Sequence, residues 1–181
     1  MTRRHALALA LALTSCADEA GDDPEVFIAL QRDFADFQRW PVLWQGDGDT
    51  VPGHPAGART VYGDVHADGE VFGAGSMLVK TIDVDPADLD PGAAAGPLVF
   101  AMVKRGGAFN PEANGWEWFE LTISDDGQPL VVWRGEKPPN GECYGCTPGL
   151  MPGVDLEMAS CTACHAGAGD NDLVYSVPLP R

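Results

Sequence analysis

Residues 24–40 carry apolar side chains at the spacing of one helix face. The members of this stripe are Phe27, Leu30, Phe34 and Phe37. They recur every three or four positions, which is the period of an amphipathic helix packed against a core. Asp23 can cap such a helix before Pro24, a residue favoured at the first helical position. Because Pro41 stops the pattern, we predict an N-terminal helix that ends near Trp40.

From residue 41 onward, glycine and proline separate short runs rich in β-branched and aromatic residues. Such runs predict strands, here at residues 60–63, 76–84, 98–105, 116–124 and 130–134. Turn signals lie at residues 90–92 and 125–127. Since the links between the last three strands are too short for helical crossovers, we expect antiparallel pairing. A short helix is predicted to begin near Asp155. The fold class is therefore mainly β (α+β): an antiparallel β-sheet with an N-terminal helix and a C-terminal helix that carries Cys161 and Cys164.

The charge balance excludes some classes of partner. The chain has 27 acidic and 11 basic residues, for a formal net charge of −16. An acidic surface argues against nucleic acid or an anionic membrane surface as a partner, and it suits a basic redox partner protein. The length is sufficient for one well-buried core, so residues 24–181 are predicted to form a single domain.

The first fifteen residues have the pattern of a bacterial export signal. Arg3 and Arg4 precede an uninterrupted run of Ala and Leu over residues 6–13. This run is shorter than the roughly 20 residues that a membrane-spanning helix needs. Removing residues 1–15 takes away two arginines and no acid, which changes the formal charge from −16 to −18.

Leu13-Thr14-Ser15-Cys16 resembles the lipobox of bacterial lipoproteins. Cys16 is therefore predicted to be lipidated and to become the first mature residue, and an ordinary cleaved signal is the alternative. Residues 16–23 are acidic and contain glycine, as in a flexible tether. We expect lipid alone to anchor the protein at the periplasmic side of a bacterial membrane.

Cys161-Thr162-Ala163-Cys164-His165 has the C-x-x-C-H spacing of c-type haem attachment. Each thiol can form a thioether with the same porphyrin, and the adjacent His165 is then the predicted iron ligand. A structural disulfide or a thioredoxin-like pair before an unrelated histidine is the alternative interpretation. Because haem of this type is attached outside the cytoplasm, the export signal favours one covalent haem c.

The chain has five cysteines, and Cys143 and Cys146 are the two that these roles leave over. They lie in a loop rich in proline and glycine, and no histidine follows them, so a second haem is not predicted. In an oxidising compartment, a disulfide between them is the default interpretation. A redox-active pair or half of a metal site is the alternative.

The position of the haem motif bears on the sixth iron ligand. Only sixteen residues follow the motif, and none of them is methionine. The four methionines of the mature chain precede it, at positions 77, 102, 151 and 158. This order differs from that of small electron-transfer cytochromes, so we infer an open iron position suited to ligand binding or catalysis.

The order of several short segments resembles the cytochrome P-460 family, which includes the gas-binding cytochromes c′-beta. The segments are FQRWP at 37–41, RTVY at 59–62, GSMLVK at 75–80, MVK at 102–104, GWEWF at 115–119, CTACH at 161–165 and DLVY at 172–175. The resemblance implies an antiparallel β fold, a homodimer and a five-coordinate haem c. Members with a lysine cross-linked to the porphyrin oxidise hydroxylamine, and relatives without the cross-link bind nitric oxide and other small gases.

A lysine is therefore the next candidate residue. Alternation places Lys80 on the same strand face as Leu78 and Ile82, where an unpaired amine is costly. The resemblance implies that Lys80, five residues after Gly75, is the cross-linking position. Lys104 also lies on an apolar strand face, so the pattern alone does not separate the two lysines. A lysine that extends to the sheet edge is the alternative.

The resemblance also suggests further site residues. Asp155 and Glu157 lie where some members carry a carboxylate that serves as a base, although Asp155 is equally suited to cap a helix. Phe72 matches an aromatic residue near the distal haem face, and a core position is the alternative. Arg59 matches an arginine that can neutralise a haem propionate, and a surface position is the alternative. His54 and His66 lie in glycine-rich loops and are predicted to be exposed.

Three functions follow from these residues. The leading hypothesis is a lysine-cross-linked haem enzyme that oxidises hydroxylamine to nitrogen oxides. The second is a five-coordinate protein that binds nitric oxide or carbon monoxide. The third is a membrane-tethered electron carrier, which requires a six-coordinate haem with a methionine ligand. In the first two cases the small ligand is nitrogenous or diatomic.

Overall fold

A computed structural model of the protein describes residues 25–49, 51, 54–85, 87, 96–139 and 161–180. Several predicted features lie outside these ranges, namely the signal, the tether, Cys16, Cys143, Cys146, Asp155 and Glu157. Their roles stay predictions. Within the described ranges, the fold is mainly antiparallel β-sheet with a few short helices, as the sequence pattern predicts.

Eight strands form the sheets of the described residues. They are β1 Val42–Gly48, β2 Gly57–Asp64, β3 Ala67–Asp68, β4 Val71–Phe72, β5 Met77–Asp83, β6 Leu98–Lys104, β7 Trp116–Ile123 and β8 Pro129–Gly135. Six of them pair antiparallel in the order β1-β2-β5-β6-β7-β8, and β3 and β4 form a separate two-stranded sheet. All five predicted strands are confirmed. The sequence pattern did not predict β1, because the glycine and aspartate at its end are typical of a turn. It also did not predict the two-residue strands β3 and β4.

The six-stranded sheet is buried on both faces. One face packs against the C-terminal segment through Val61, Leu78, Trp116 and Trp118, and we call it the site face. The other, which we call the opposite face, packs against the N-terminal segment, and the core there includes Phe34, Phe37, Val79 and Phe119. Strand alternation explains this division, since neighbouring residues such as Trp118 and Phe119 point to different cores.

The predicted N-terminal α-helix is wrong within the described residues. Residues 25–30 are not helical, and two 3-10 helices follow, Gln31–Phe34 and Phe37–Arg39. The Asp33 carboxylate accepts the backbone N–H of Leu30 at 2.7 Å, and Asp36 has a left-handed φ of 55°. Each feature breaks the regular helix. Phe34 and Phe37 are nevertheless buried, so the apolar stripe still marks core residues.

A short helical segment near the C-terminus lies on the site face. α1 comprises Cys161–His165, and a 3-10 helix Ala166–Asn171 continues from it. Asp172 and Leu173 then adopt left-handed φ values of 50° and 66° and turn the chain back. In the part of the chain that the structure describes, no helix is long and apolar enough to cross a membrane.

Candidate functional site

His165, the last residue of α1, is held by its backbone surroundings. Its Nδ1 lies 2.7 Å from the carbonyl oxygen of Leu173. Since a carbonyl only accepts, Nδ1 carries the proton, and this tautomer leaves Nε2 with its lone pair. The ring packs at 4.8 Å from that of Trp118 and at 5.6 Å from that of Tyr175. This is the hydrogen-bonding pattern of a histidine that ligates a metal through Nε2.

The electrostatic environment keeps this imidazole neutral. Burial lowers the pKa of His165 to about 4, the hydrogen bond with Leu173 opposes that change, and the charge of Lys80 adds to it. A neutral ring is the form that binds a metal ion, so His165 needs no proton loss at neutral pH.

The two motif cysteines differ in exposure, but neither forms a disulfide. Cys161 packs against the site-face core, whereas Cys164 is exposed. Burial raises the pKa of the Cys161 thiol to about 12. Because the thiolate is the form that exchanges disulfides and binds metals directly, this environment disfavours a thioredoxin-like role. Among the described residues, no three His, Cys, Asp or Glu side chains converge to hold a metal ion.

Lys80 lies in the middle of β5 on the site face, as alternation predicts. In the pairing register it stands opposite Val61 of β2 and Phe100 of β6, with Nζ 5.8 Å from the centroid of the Phe100 ring. Within the described ranges, no carboxylate forms an ion pair with it. Lys80 is therefore a half-buried amine that has no counter-ion among the described residues.

The pKa of Lys80 reflects this position. It is lowered from 10.5 to about 7, chiefly by burial and also by the Arg59 charge, while Cys161 and Cys164 act in the opposite direction. Lys80 also acts on the pKa of His165. The folded sheet thus brings an amine that is partly neutral at pH 7 within electrostatic range of the whole C-x-x-C-H motif.

Lys104 has a different environment, although it lies on the same face. Its Nζ donates to both carboxylate oxygens of Asp172, at 2.9 and 2.8 Å. It is 6% exposed and lies 5.1 Å from the centroid of the Trp116 ring. The structure therefore separates the two lysines that the sequence left equivalent, since only Lys104 has a carboxylate partner among the described residues.

Arg59 is anchored at the edge of the site face. Its Nη2 donates to the carbonyl oxygens of Asp49 at 2.6 Å and Pro55 at 3.0 Å. Its buried Nε has no partner in the described part of the chain. A buried donor of this kind normally has an acceptor, so the guanidinium has capacity for an anionic group such as a propionate.

Phe72 occupies a position that fits its core alternative. Its side chain is fully buried, and its ring packs edge-on against that of Trp116 at 5.5 Å. Its backbone N–H donates to Asp172 at 3.0 Å. The distal role that the resemblance implies for Phe72 stays a prediction.

Glu120 is a site-face residue that the sequence pattern did not single out. Glu120 stands opposite Phe100 in the register, hence in the same cross-strand row as Lys80, and it is 5% exposed. Its Oε2 accepts the indole N–H of Trp133 at 2.7 Å. Alternation with Trp116 and Trp118 could have placed Glu120 on this face, but only the register brings it into the row of Lys80.

The two loop histidines also differ. The prediction that His54 is exposed is wrong, because it is half-buried and its ring lies 4.8 Å from that of Phe100. His66 is exposed, as predicted. The Phe100 ring therefore lies close to two titratable side chains, His54 and Lys80.

The two described methionines lie on different faces of the sheet. Met77 belongs to the core of the opposite face, whereas Met102 is half-buried on the site face with Cys161. A haem attached at Cys161 could therefore be ligated by Met102 but not by Met77. Met151 and Met158 lie outside the described residues.

These observations test whether the site fits a c-type haem. Three features fit such a group: the neutral His165 with Nδ1 engaged, and Lys80 and Arg59 Nε, for which the described residues supply no ion-pair or hydrogen-bond partner. Comparisons of the chain with protein-family models, with curated proteins and with solved structures found no match. The resemblance to the cytochrome P-460 family consequently stays a prediction.

Proposed function

We propose that this protein carries one haem c on the site face, bound through thioethers to Cys161 and Cys164 and ligated by Nε2 of His165. The observation that carries the proposal is the hydrogen bond between His165 Nδ1 and the Leu173 carbonyl oxygen, 2.7 Å long. It selects the tautomer in which Nε2 binds metal, and it lies directly beside the attachment motif. In the part of the chain that the structure describes, no cluster of ligating side chains surrounds His165, which suits an iron whose other ligands come from a porphyrin.

We further propose that Lys80 is the residue cross-linked to this haem. A neutral amine is nucleophilic, and burial lowers the pKa of Lys80 to about 7. The new N–C bond would replace one N–H and one porphyrin C–H bond, and the two electrons and two protons released would pass to a peroxide as the oxidant. Lys104 is a poorer candidate because Asp172 holds its ammonium group in a buried ion pair. An uncompensated amine on an apolar face is costly, and a covalent bond would remove that cost.

The activity that best suits such a site is the oxidation of hydroxylamine to nitrogen oxides. When bound, the haem supplies a coordination position for the substrate nitrogen and a route for its electrons. The chain must then accept the protons that hydroxylamine loses, through groups within hydrogen-bond reach of the substrate. Glu120 and His54 are the described candidates, since both lie beside Phe100 on the site face. Asp155 and Glu157 remain candidates from the sequence.

The remaining parts of the proposal concern location and partners. We propose a lipid anchor at Cys16 on the periplasmic side of a bacterial membrane and a homodimer, as the sequence and the resemblance suggest. Electrons would pass to a redox partner protein. A basic surface on that partner would complement the formal charge of the mature chain, −18 once the two arginines of residues 1–15 are subtracted from the −16 of the full sequence.

The test is a tryptic mass map of the mature protein together with its ferrous absorption spectrum. We expect haem on the peptide with Cys161 and Cys164 and also on a peptide with Lys80, and a red-shifted Soret band. Lys80→Met should remove the second attachment and the oxidation of hydroxylamine. Lys137→Met is the matched control, because Lys137 is exposed, and it should change neither.

Three outcomes would contradict the oxidase hypothesis. Haem held by the two cysteines alone, with an ordinary five-coordinate spectrum, would favour binding of nitric oxide or carbon monoxide. A six-coordinate low-spin spectrum that Met102→Leu converts to five-coordinate would favour the electron carrier. A mature chain without haem would overturn all three hypotheses.

A further inference from the structure

We infer that Asp172 is a positioning residue for His165 and acts through the backbone carbonyl of Leu173. The inference rests on the proposed function, because it concerns the histidine that would ligate haem. It goes beyond that proposal by assigning a role to a buried ion pair, Asp172 with Lys104, that the proposed chemistry does not use.

Asp172 is the centre of a buried polar network. Its carboxylate accepts Lys104 Nζ at 2.9 and 2.8 Å, the backbone N–H of Phe72 at 3.0 Å and Asn114 Nδ2 at 3.2 Å. Its backbone carbonyl accepts the indole N–H of Trp116 at 2.8 Å. The side-chain partners come from β4, β6 and the segment before β7, and the backbone partner comes from β7, so this one residue ties the C-terminal segment to three strands.

The residue held in this way determines where the next carbonyl points. Asp172 and Leu173 both have left-handed φ values, 50° and 66°, which side chains other than glycine adopt only when their surroundings impose them. The Leu173 N–H donates to Ala168 O at 2.9 Å, and its carbonyl oxygen faces His165 Nδ1 at 2.7 Å. The contacts of Asp172 therefore hold the strained corner that supplies the acceptor for His165.

The consequence for the iron ligand follows from the chemistry of imidazole. A short, well-aligned bond from Nδ1–H to a carbonyl makes the ring a stronger donor through Nε2. A stronger donor favours ferric over ferrous iron and lowers the reduction potential. Loss of the Asp172 contacts should let the corner relax, weaken this hydrogen bond and shift the balance toward ferrous iron.

A second buried ion pair provides a matched control. Glu117 is 2% exposed, and its carboxylate accepts Arg134 Nε at 2.7 Å and Nη2 at 2.6 Å. By strand alternation this pair lies on the opposite face of the sheet, away from His165. Changes at Glu117 should therefore disturb the fold without touching the carbonyl of Leu173.

The experiment compares Asp172→Ala, Asp172→Asn and Glu117→Gln in the haem-loaded full chain. We expect the iron–histidine stretching band of the ferrous protein to move to lower frequency in Asp172→Ala. The midpoint potential should rise, by about 59 mV for each ten-fold change in the ratio of ferric to ferrous binding. Asp172→Asn keeps an acceptor for Phe72 and should show a smaller change in both quantities. Glu117→Gln should show none.

Equal shifts in the Asp172 and Glu117 variants, or no shift in Asp172→Ala, would overturn the inference. A haem assay on the wild-type chain separates this result from a failure of the proposed function.

If wild type carries no haem, the proposed function fails, and the inference is tested on that chain by nitrogen NMR of labelled histidine. The Nδ1–H tautomer of His165 should then dominate in wild type and in Glu117→Gln and decline in Asp172→Ala. An unchanged tautomer in Asp172→Ala would overturn it.

Discussion

Replacing Lys80 by Met in the haem-free full-length chain should stabilise the fold, and the gain should depend on pH. Methionine has a similar length and no charge, so it fills the same space on the apolar face. Burial lowers the pKa of Lys80 from 10.5 to about 7. At about 1.36 kcal/mol for each pKa unit, this difference corresponds to at most about 5 kcal/mol of destabilisation by the charged amine.

The direction of the pH dependence follows from proton binding. Between pH 7 and 10.5 the unfolded chain holds the Lys80 proton and the folded chain has lost it. The stability of wild type therefore rises with pH through this window. The penalty is complete below about pH 7 and absent above 10.5. The advantage of Lys80→Met should accordingly be largest at pH 6 and should vanish near pH 10.5.

Urea unfolding of wild type and of Lys80→Met at several pH values between 6 and 10.5 measures the gain in the free energy of unfolding and its dependence on pH. Lys104→Met is the control, since it makes the same substitution on the same sheet face. It should destabilise the protein by about 3 to 5 kcal/mol, because it leaves the buried Asp172 carboxylate without its cation. An advantage of Lys80→Met that stays constant with pH, or a loss of stability at pH 6, would refute the reasoning.

Three further substitutions test the packing around the site. Trp116→Phe should cost about 1 to 3 kcal/mol in urea unfolding, because the buried carbonyl of Asp172 loses its indole donor; an unchanged midpoint would contradict this. Phe34→Ala should cost about 3 to 5 kcal/mol, since the ring is fully buried, and a loss below 1 kcal/mol would count against its core position. Glu117→Gln should cost about 2 kcal/mol by weakening the bidentate bond with Arg134. High salt should leave that loss largely unchanged, because salt screens a buried pair much less than an exposed one.

The strands illustrate what local pattern can predict. Alternation and turn residues located five of the eight strands, since side-chain direction along a strand follows directly from residue parity. The N-terminal helix was predicted wrongly, because the spacing of Phe34 and Phe37 suits both an α-helix and two 3-10 turns. The choice depended on the Asp33 side chain, which binds the backbone of Leu30, and on the left-handed Asp36.

The site divides in the same way. The spacing of Cys161, Cys164 and His165 and the strand face of Lys80 follow from local sequence, because they are properties of one helix and one strand. The carboxylate partner of Lys104 depends on the fold, since Asp172 lies 68 positions away along the chain. The tautomer of His165 depends on the fold as well, because the acceptor carbonyl reaches Nδ1 only after the chain reverses at Leu173. Such partners depend on sheet register and on how the chain returns, and neither is encoded in neighbouring residues.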